Sequence, residues 1–358
     1  MKILALLERL CADETVSDVH VKEGHTPFYR KGGVLHADSA TVAREDFLEF
    51  FAAHEAQTGF LATKLDDVLK KTGDQDFALR AGRNRYRGNV YHAEGRKLAA
   101  AFRRLSSRIP ALGSLGLPAA YLPLLDRATR GLLLVTGATG SGKTTTLAAS
   151  VDHLNKTRAG HIITLEDPIE FIHASQRCLV DQRQIGADAS SYFQGLRSAL
   201  RQDPDVLLVG ELRDHDTVKT AFDAANTGHL VLGTLHTNSA IQTVDRLLSF
   251  FPGDAREWAQ AVLSQILLGV VSQTLVANLA GGRTLAAEIL LSTPDVRGSI
   301  REGKIHQLFN HMDTGSAKGH LLMNTALAKL VRARVISQTE ALATSADPER
   351  LKRDLANA

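Results

Sequence analysis

Residues 137–144 read Gly-Ala-Thr-Gly-Ser-Gly-Lys-Thr, a full match to the G-x-x-x-x-G-K-[ST] pattern. Residue types at this spacing bind the phosphates of a nucleotide. Gly137, Gly140 and Gly142 let the backbone turn tightly, so that its N–H groups, with those of Ala138, Thr139 and Ser141, face phosphate oxygens. A helix opening at Lys143 adds the partial positive charge of its N-terminus. Lys143 supplies a mobile cation for the β- and γ-phosphates, the Thr144 hydroxyl is a ligand for Mg²⁺, and Thr145 lies in the same turn. The expected ligand is Mg-ATP.

Hydrolysis needs two further groups, a carboxylate near the metal and one that orients the attacking water. In open α/β sheets both belong at the carboxyl ends of neighbouring parallel strands. One apolar run, His161–Leu165, leads into Glu166-Asp-Pro-Ile-Glu170; another, Val206–Val209, leads into Gly210-Glu211. Glu211 stands where the common Walker B pattern has an aspartate, so it is the expected acid near Mg²⁺, acting through coordinated water. Strand geometry leaves Glu166, Asp167 and Glu170 open as the base. His229 and His236 flank a third run, seven residues apart. An odd spacing puts them on opposite faces of a continuous strand, which argues against a shared zinc site. They are then strand-end histidines satisfied by local hydrogen bonds, or sensors of the γ-phosphate; spacing favours the former.

The elements that must position these groups follow from periodicity. Gly131–Thr136, His161–Leu165, Val206–Val209 and His229–Leu235 read as short apolar strands, and residues 143–156, 215–227 and 254–277 as helices. Alternation of this kind gives a parallel sheet covered by helices. Upstream, Met1–Asp13 reads as an amphipathic helix. Val16–Val21, Tyr86–Tyr91 and Leu98–Phe102 read as strands of a small α/β domain. Pro110, Gly113, Gly116 and Pro118 mark a linker between the two. The expected division is residues 1–104, a linker over 105–120, and a nucleotide-binding domain over 121–358.

A chain of 358 residues, 44% hydrophobic and 23% charged, suits two globular domains. Its 42 Lys+Arg against 39 Asp+Glu are too balanced to argue for nucleic acid. A nucleic-acid translocase would also want aromatics for base stacking, and only 5% of residues are aromatic. Two cysteines, Cys11 and Cys178, make no disulfide framework and no four-cysteine zinc site. The apolar stretch near Val262–Ala280 is interrupted by Ser264, Gln265, Ser272, Gln273 and Asn278 and reads as a core helix. The N-terminus lacks a signal-peptide pattern, because Glu8 and Arg9 break its apolar run. A cytoplasmic protein, at most peripheral to a membrane, is expected.

Together, the phosphate loop, Thr164-Leu-Glu-Asp-Pro-Ile-Glu170, Val209-Gly-Glu-Leu-Arg-Asp214, and Thr227-Gly-His229 through Gly233-Thr-Leu-His236 resemble the secretion-superfamily ATPases. Within them the chain is most similar to the type IV pilus twitching-motility retraction ATPases, from Ser17-Asp-Val-His20 to an arginine-containing motif near 295–302. The resemblance implies a PAS-like N-terminal α/β domain and a RecA-like P-loop NTPase domain, with ATP bound between them in a homohexameric ring. It implies Glu170 as the general base, Glu211 as the Walker B acid, and His229 and His236 as nucleotide-site histidines, reversing the reading from spacing. Arginines are expected to reach the γ-phosphate, among them Arg201, Arg213 and Arg246 or members of the basic run Arg80–Arg104, which includes Arg83, Arg85 and Arg87. Implied partners are the inner-membrane pilus platform protein and a paralogous pilus ATPase, met at the cytoplasmic face of the inner membrane.

One departure stands out. Such ATPases carry a motif close to Ala-Ile-Arg-Asn-Leu-Ile-Arg-Glu, needed for retraction, where this chain reads Asp295-Val-Arg297-Gly-Ser-Ile300-Arg301-Glu302. Hydrolysis is expected to survive, and coupling to retraction is the property this segment puts in question. An assembly or secretion ATPase, which commonly carries a tetracysteine insert and an N-terminal extension, and an accessory subunit are the related alternatives.

Overall fold

Short apolar runs with polar ends, such as Gly131–Thr136 and Leu230–Leu235, become fully buried strands, whereas mixed runs such as Asp74–Ala81 become half-buried ones. The computed structural model describes residues 2–13, 15–58, 61–82, 84–105 and 108–356. The chain divides into two units, one of Met1–Arg108 with Pro168–Ile172, the other of Ile109–Asp167 with His173–Ala358. Arg83, in the basic run, and the start of the Met1–Asp13 helix lie outside the described residues.

The first unit holds an antiparallel sheet of β1 (Val16–Lys22), β2 (Phe28–Lys31), β3 (Val34–Ala37), β4 (Asp74–Ala81), β5 (Asn84–Ala93) and β6 (Lys97–Leu105). Their order is β3-β2-β1-β6-β5-β4. Helices Lys2–Leu10, Arg44–Ala53 and Leu65–Thr72 bury Leu7, Phe47, Phe50, Phe51 and Leu65 against Val19, Phe77, Tyr86 and Phe102. A register shift between Val16 and Asp18 interrupts alternation along β1, and Val16 is buried with Val19 and Val21.

In the second unit, β7 (Gly131–Thr136), β8 (Gly160–Glu166), β9 (Cys178–Gln184), β10 (Val206–Val209), β11 (Leu230–Leu235), β12 (Leu267–Ala277) and β13 (Arg283–Leu291) form one sheet. The order is β13-β12-β7-β11-β10-β8-β9, parallel except for β13. Successive residues divide between the two faces: Leu132, Leu134, Ile163, Leu207 and Val231 pack on one side, and Leu133, Val135, Ile162, Leu208 and Leu232 on the other. Both faces are thus covered by helices, which is why these strands are continuously apolar. Ile109, Leu112 and Leu115 pack into the second of these layers.

The single helix expected over 254–277 is a helix followed by a strand. Gly253–Ile266 is helical, Leu267 turns extended (φ −62°, ψ 126°), and β12 continues beside β7. A fully buried apolar run carries no period that separates helix from strand, and Ser272 and Gln273 are buried sheet residues.

Candidate nucleotide site

β7 ends at Thr136 and the phosphate loop follows. Gly137 has φ +142°, and a Cβ there would lie 2.2 Å from the Gln273 carbonyl oxygen and 2.6 Å from Ser141 Oγ. Only glycine lets the loop rest so closely on β12. Gly142, at φ +90°, precedes the helix Lys143–Thr157. Lys143 Nζ donates to the carbonyls of Gly137 (2.8 Å) and Ala138 (3.0 Å). Burial pushes the Lys143 pKa down, and the nearby Glu211 carboxylate opposes that shift. Ser141 Oγ is buried and makes no hydrogen bond to a described residue.

Beside the loop lies a cavity of about 290 Å³ lined by Gly142, Thr145 and Thr146, by Leu115, and by Leu275 and Leu285 of the β12–β13 hairpin. That volume is at the lower edge of small-molecule sites. Reading 254–277 as one helix hides this wall, which β12 and β13 build.

The carboxyl ends of the neighbouring strands bring Glu211 and His236 to the same edge of the sheet. β11 pairs with β7 through Leu235 and Thr136, and with β10 through Gly233 and Val209. His236 Nε2 lies 4.0 Å from Glu211 Oε1, with both side chains partly exposed. Below them, Thr136 and Thr237 both hydrogen-bond to the Thr243 hydroxyl (3.2 and 2.6 Å), tying the end of β7 to the helix Ala240–Ser249. His229 is not part of this group. It precedes β11 at the opposite end, its carbonyl accepts from Gly131 N (2.9 Å), and its Nδ1 lies 2.9 Å from the Ala224 carbonyl. Six strand residues separate the histidines, about 20 Å of extended chain.

A protein-family model described as type II/IV secretion system protein matches residues 101–283. The chain is 39% identical over 339 residues to the type IV pilus retraction ATPase PilT of Pseudomonas aeruginosa, spanning 94% of this chain and 96% of that one. It is 35% identical over 340 residues to the type IV pilus ATPase PilU of the same organism, spanning 94% and 87%. A crystal structure of the pilus retraction motor PilT with bound ADP superposes with a TM-score of 0.88 at 40% identity, over 99% of each chain. The chain belongs to the PilT family of ATPases. Its two units correspond to the N-terminal domain and the P-loop ATPase domain of that family.

In this PilT-family ATPase the acidic residues after β8 are differently held. Glu166 is buried, with Oε1 accepting from Thr164 Oγ1 (2.6 Å) and Gln182 Nε2 (3.1 Å). Asp167 is exposed. Glu170 lies in the segment Pro168–Ile172 that packs with the first unit, where Arg85 donates to the carbonyls of Ile169 (3.0 Å) and Glu170 (3.3 Å). Elsewhere in the basic run, Arg87 pairs with Asp76 (3.2 Å), Arg103 with Asp18 (2.9 Å), and Arg104 donates to the Asp13 carbonyl (3.1 Å). Arg213 sits over Tyr192 and Arg246 over Phe250, with 5.7 and 4.5 Å to the ring centres. Both arginines are exposed.

The departing segment forms the helix Pro294–Arg301, capped by Thr293. Val296 and Ile300 are core residues, and Ser299 Oγ lies 2.9 Å from His311 Nε2. Asp295 pairs with Lys318 at 2.6 Å, and a Cβ on Gly298 would meet nothing within 4 Å. Two of the differing positions, Asp295 and Ser299, thus make local side-chain contacts.

Proposed function

We propose that this ATPase is a hexameric, Mg-dependent motor that powers retraction of a type IV pilus. The observation that carries the reading is likeness to a retraction ATPase across both units rather than the ATPase domain alone. In the proposed site the phosphate loop 137–144 wraps the nucleotide phosphates, Lys143 leaves the Gly137 and Ala138 carbonyls for the β- and γ-phosphates, and the adjoining cavity takes the nucleoside. Thr144 and Glu211 are hard oxygen donors of the kind Mg²⁺ requires and would hold the ion. Bound there, the ion would neutralise charge on the phosphates. Glu170 takes the proton of the water that attacks the γ-phosphorus; the bond from that phosphorus to the β–γ bridging oxygen breaks, and ADP and phosphate leave. His236, beside Glu211, reports the phosphate state, and arginines of a neighbouring subunit, with Arg213 and Arg246 as candidates, offset transition-state charge.

No described helix is long and apolar enough to cross a membrane, which suits a motor acting peripherally on an inner-membrane platform protein, alone or beside a paralogous ATPase. The test is a deletion strain with surface pili counted by electron microscopy. Accumulated pili with lost twitching support retraction; loss of pili would assign the motor to assembly instead.

A further inference from the structure

Gln273 lies in β12 with 2% of its surface exposed, and no nucleotide-site motif includes it. Its side-chain amide spans two parts of the nucleotide site. Nε2 donates to the Ser141 carbonyl at 2.8 Å, and Oε1 accepts from Thr146 Oγ1 at 3.0 Å, in the first turn of the helix that follows the loop. The contact is close on every side: the Gln273 carbonyl would lie 2.2 Å from a Cβ on Gly137, and its Nε2 3.3 Å from one on Gly142. The same side chain also lines the cavity, with Leu275 two residues further along β12.

We propose that Gln273 is a positioning residue for the phosphates, fastening the Ser141–Gly142 turn to the first turn of the following helix so that the loop N–H groups converge. An amide is the side chain that serves here, because one end must donate to a carbonyl and the other accept from a hydroxyl. Glutamate has the same shape but would set an acceptor against the Ser141 carbonyl. Each net hydrogen bond is worth about 1 kcal/mol, roughly fivefold in affinity, and a buried partner left unsatisfied costs more.

The test uses the full-length protein and the competition of pyrophosphate, ADP and adenosine against a fluorescent ATP analogue. Gln273→Met and Gln273→Glu are expected to weaken pyrophosphate and ADP about tenfold or more, with adenosine changed less than twofold. Thr146→Val should weaken pyrophosphate several-fold, Thr146→Ser should behave as the parent, and adding Thr146→Val to Gln273→Met should cost less than the sum of the two. Equal losses for adenosine and pyrophosphate, additivity of the double variant, or parental pyrophosphate affinity in Gln273→Met would overturn the proposal. The adenosine arm rests on the nucleoside reading of the cavity. If the parent does not bind adenosine, that reading fails, and the pyrophosphate series with the Thr146→Ser rescue still decides the role of Gln273.

Discussion

Both ends of β11 carry a histidine, and the two are held differently. At the amino end, His229 is held by Ala224, Gly131 N bonds to the His229 carbonyl, and Leu230 N to the Asp205 carbonyl. At the carboxyl end, His236 is half exposed, Glu211 stands 4.0 Å away, and Glu211 in turn acts on the charge of Lys143. The contrast follows from the parallel sheet. At the carboxyl ends the chain leaves its strands into loops whose polar groups face a crevice, whereas at the amino ends incoming loops are tied down by hydrogen bonds.

That contrast can be attacked at several points. Lys143→Ala should be the most severe change, removing a charge-assisted contact worth about 3 kcal/mol. ADP affinity is expected to fall about 100-fold and phosphate release to drop below roughly 1% of the parent. His236→Ala should lower turnover about tenfold with stability little changed. His229→Ala should instead cost about 1 kcal/mol in urea unfolding, through its lost hydrogen bond, with ADP affinity within twofold. Equal turnover losses for the two histidine variants would break the comparison and give His229 a part in turnover.

A subtler effect concerns Glu288 of β13. Burial raises its pKa, opposed by the backbone N–H groups of Ala240 and Met323 that donate to it. A raised carboxyl pKa means the folded state binds more protons than the unfolded one. Stability is then fully present below the unfolded carboxyl range, about pH 4.3, and declines as pH rises through the higher folded value. Glu288→Gln should flatten that decline in urea titrations run upward from the unfolded carboxyl range. The smallest effect is expected at Gly298, a helix residue facing open space: Gly298→Ala should stabilise by about 0.5–1 kcal/mol and raise the thermal midpoint.

Much of this was legible in the sequence. The phosphate loop announced itself because three glycines, Lys143 and Thr144 have fixed offsets, and β7, β8, β10 and β11 because each is a short apolar run with polar ends. β12 was hidden because Leu267–Ala277 continues the apolar character of the helix before it; Gly269, just past the junction, was a breaker signal. Val270, Val271, Thr274 and Val276 were another signal, since β-branched residues favour strands. With β12 went Gln273 and the cavity wall. The β2–β3 hairpin is absent from the sequence reading, although Gly32-Gly33 between Lys31 and Val34 is a two-residue turn signal. The end-to-end separation of His229 and His236 was not resolved by face alternation, which gives the side of a strand and not which end meets the ligand.

The most direct test is steady-state phosphate release by Glu170→Gln together with its ADP affinity. Turnover reduced at least 100-fold with ADP affinity within threefold of the parent is the expected result. Turnover near that of the parent would contradict the assignment of Glu170 as the base and move it to another acid of the 166–170 segment.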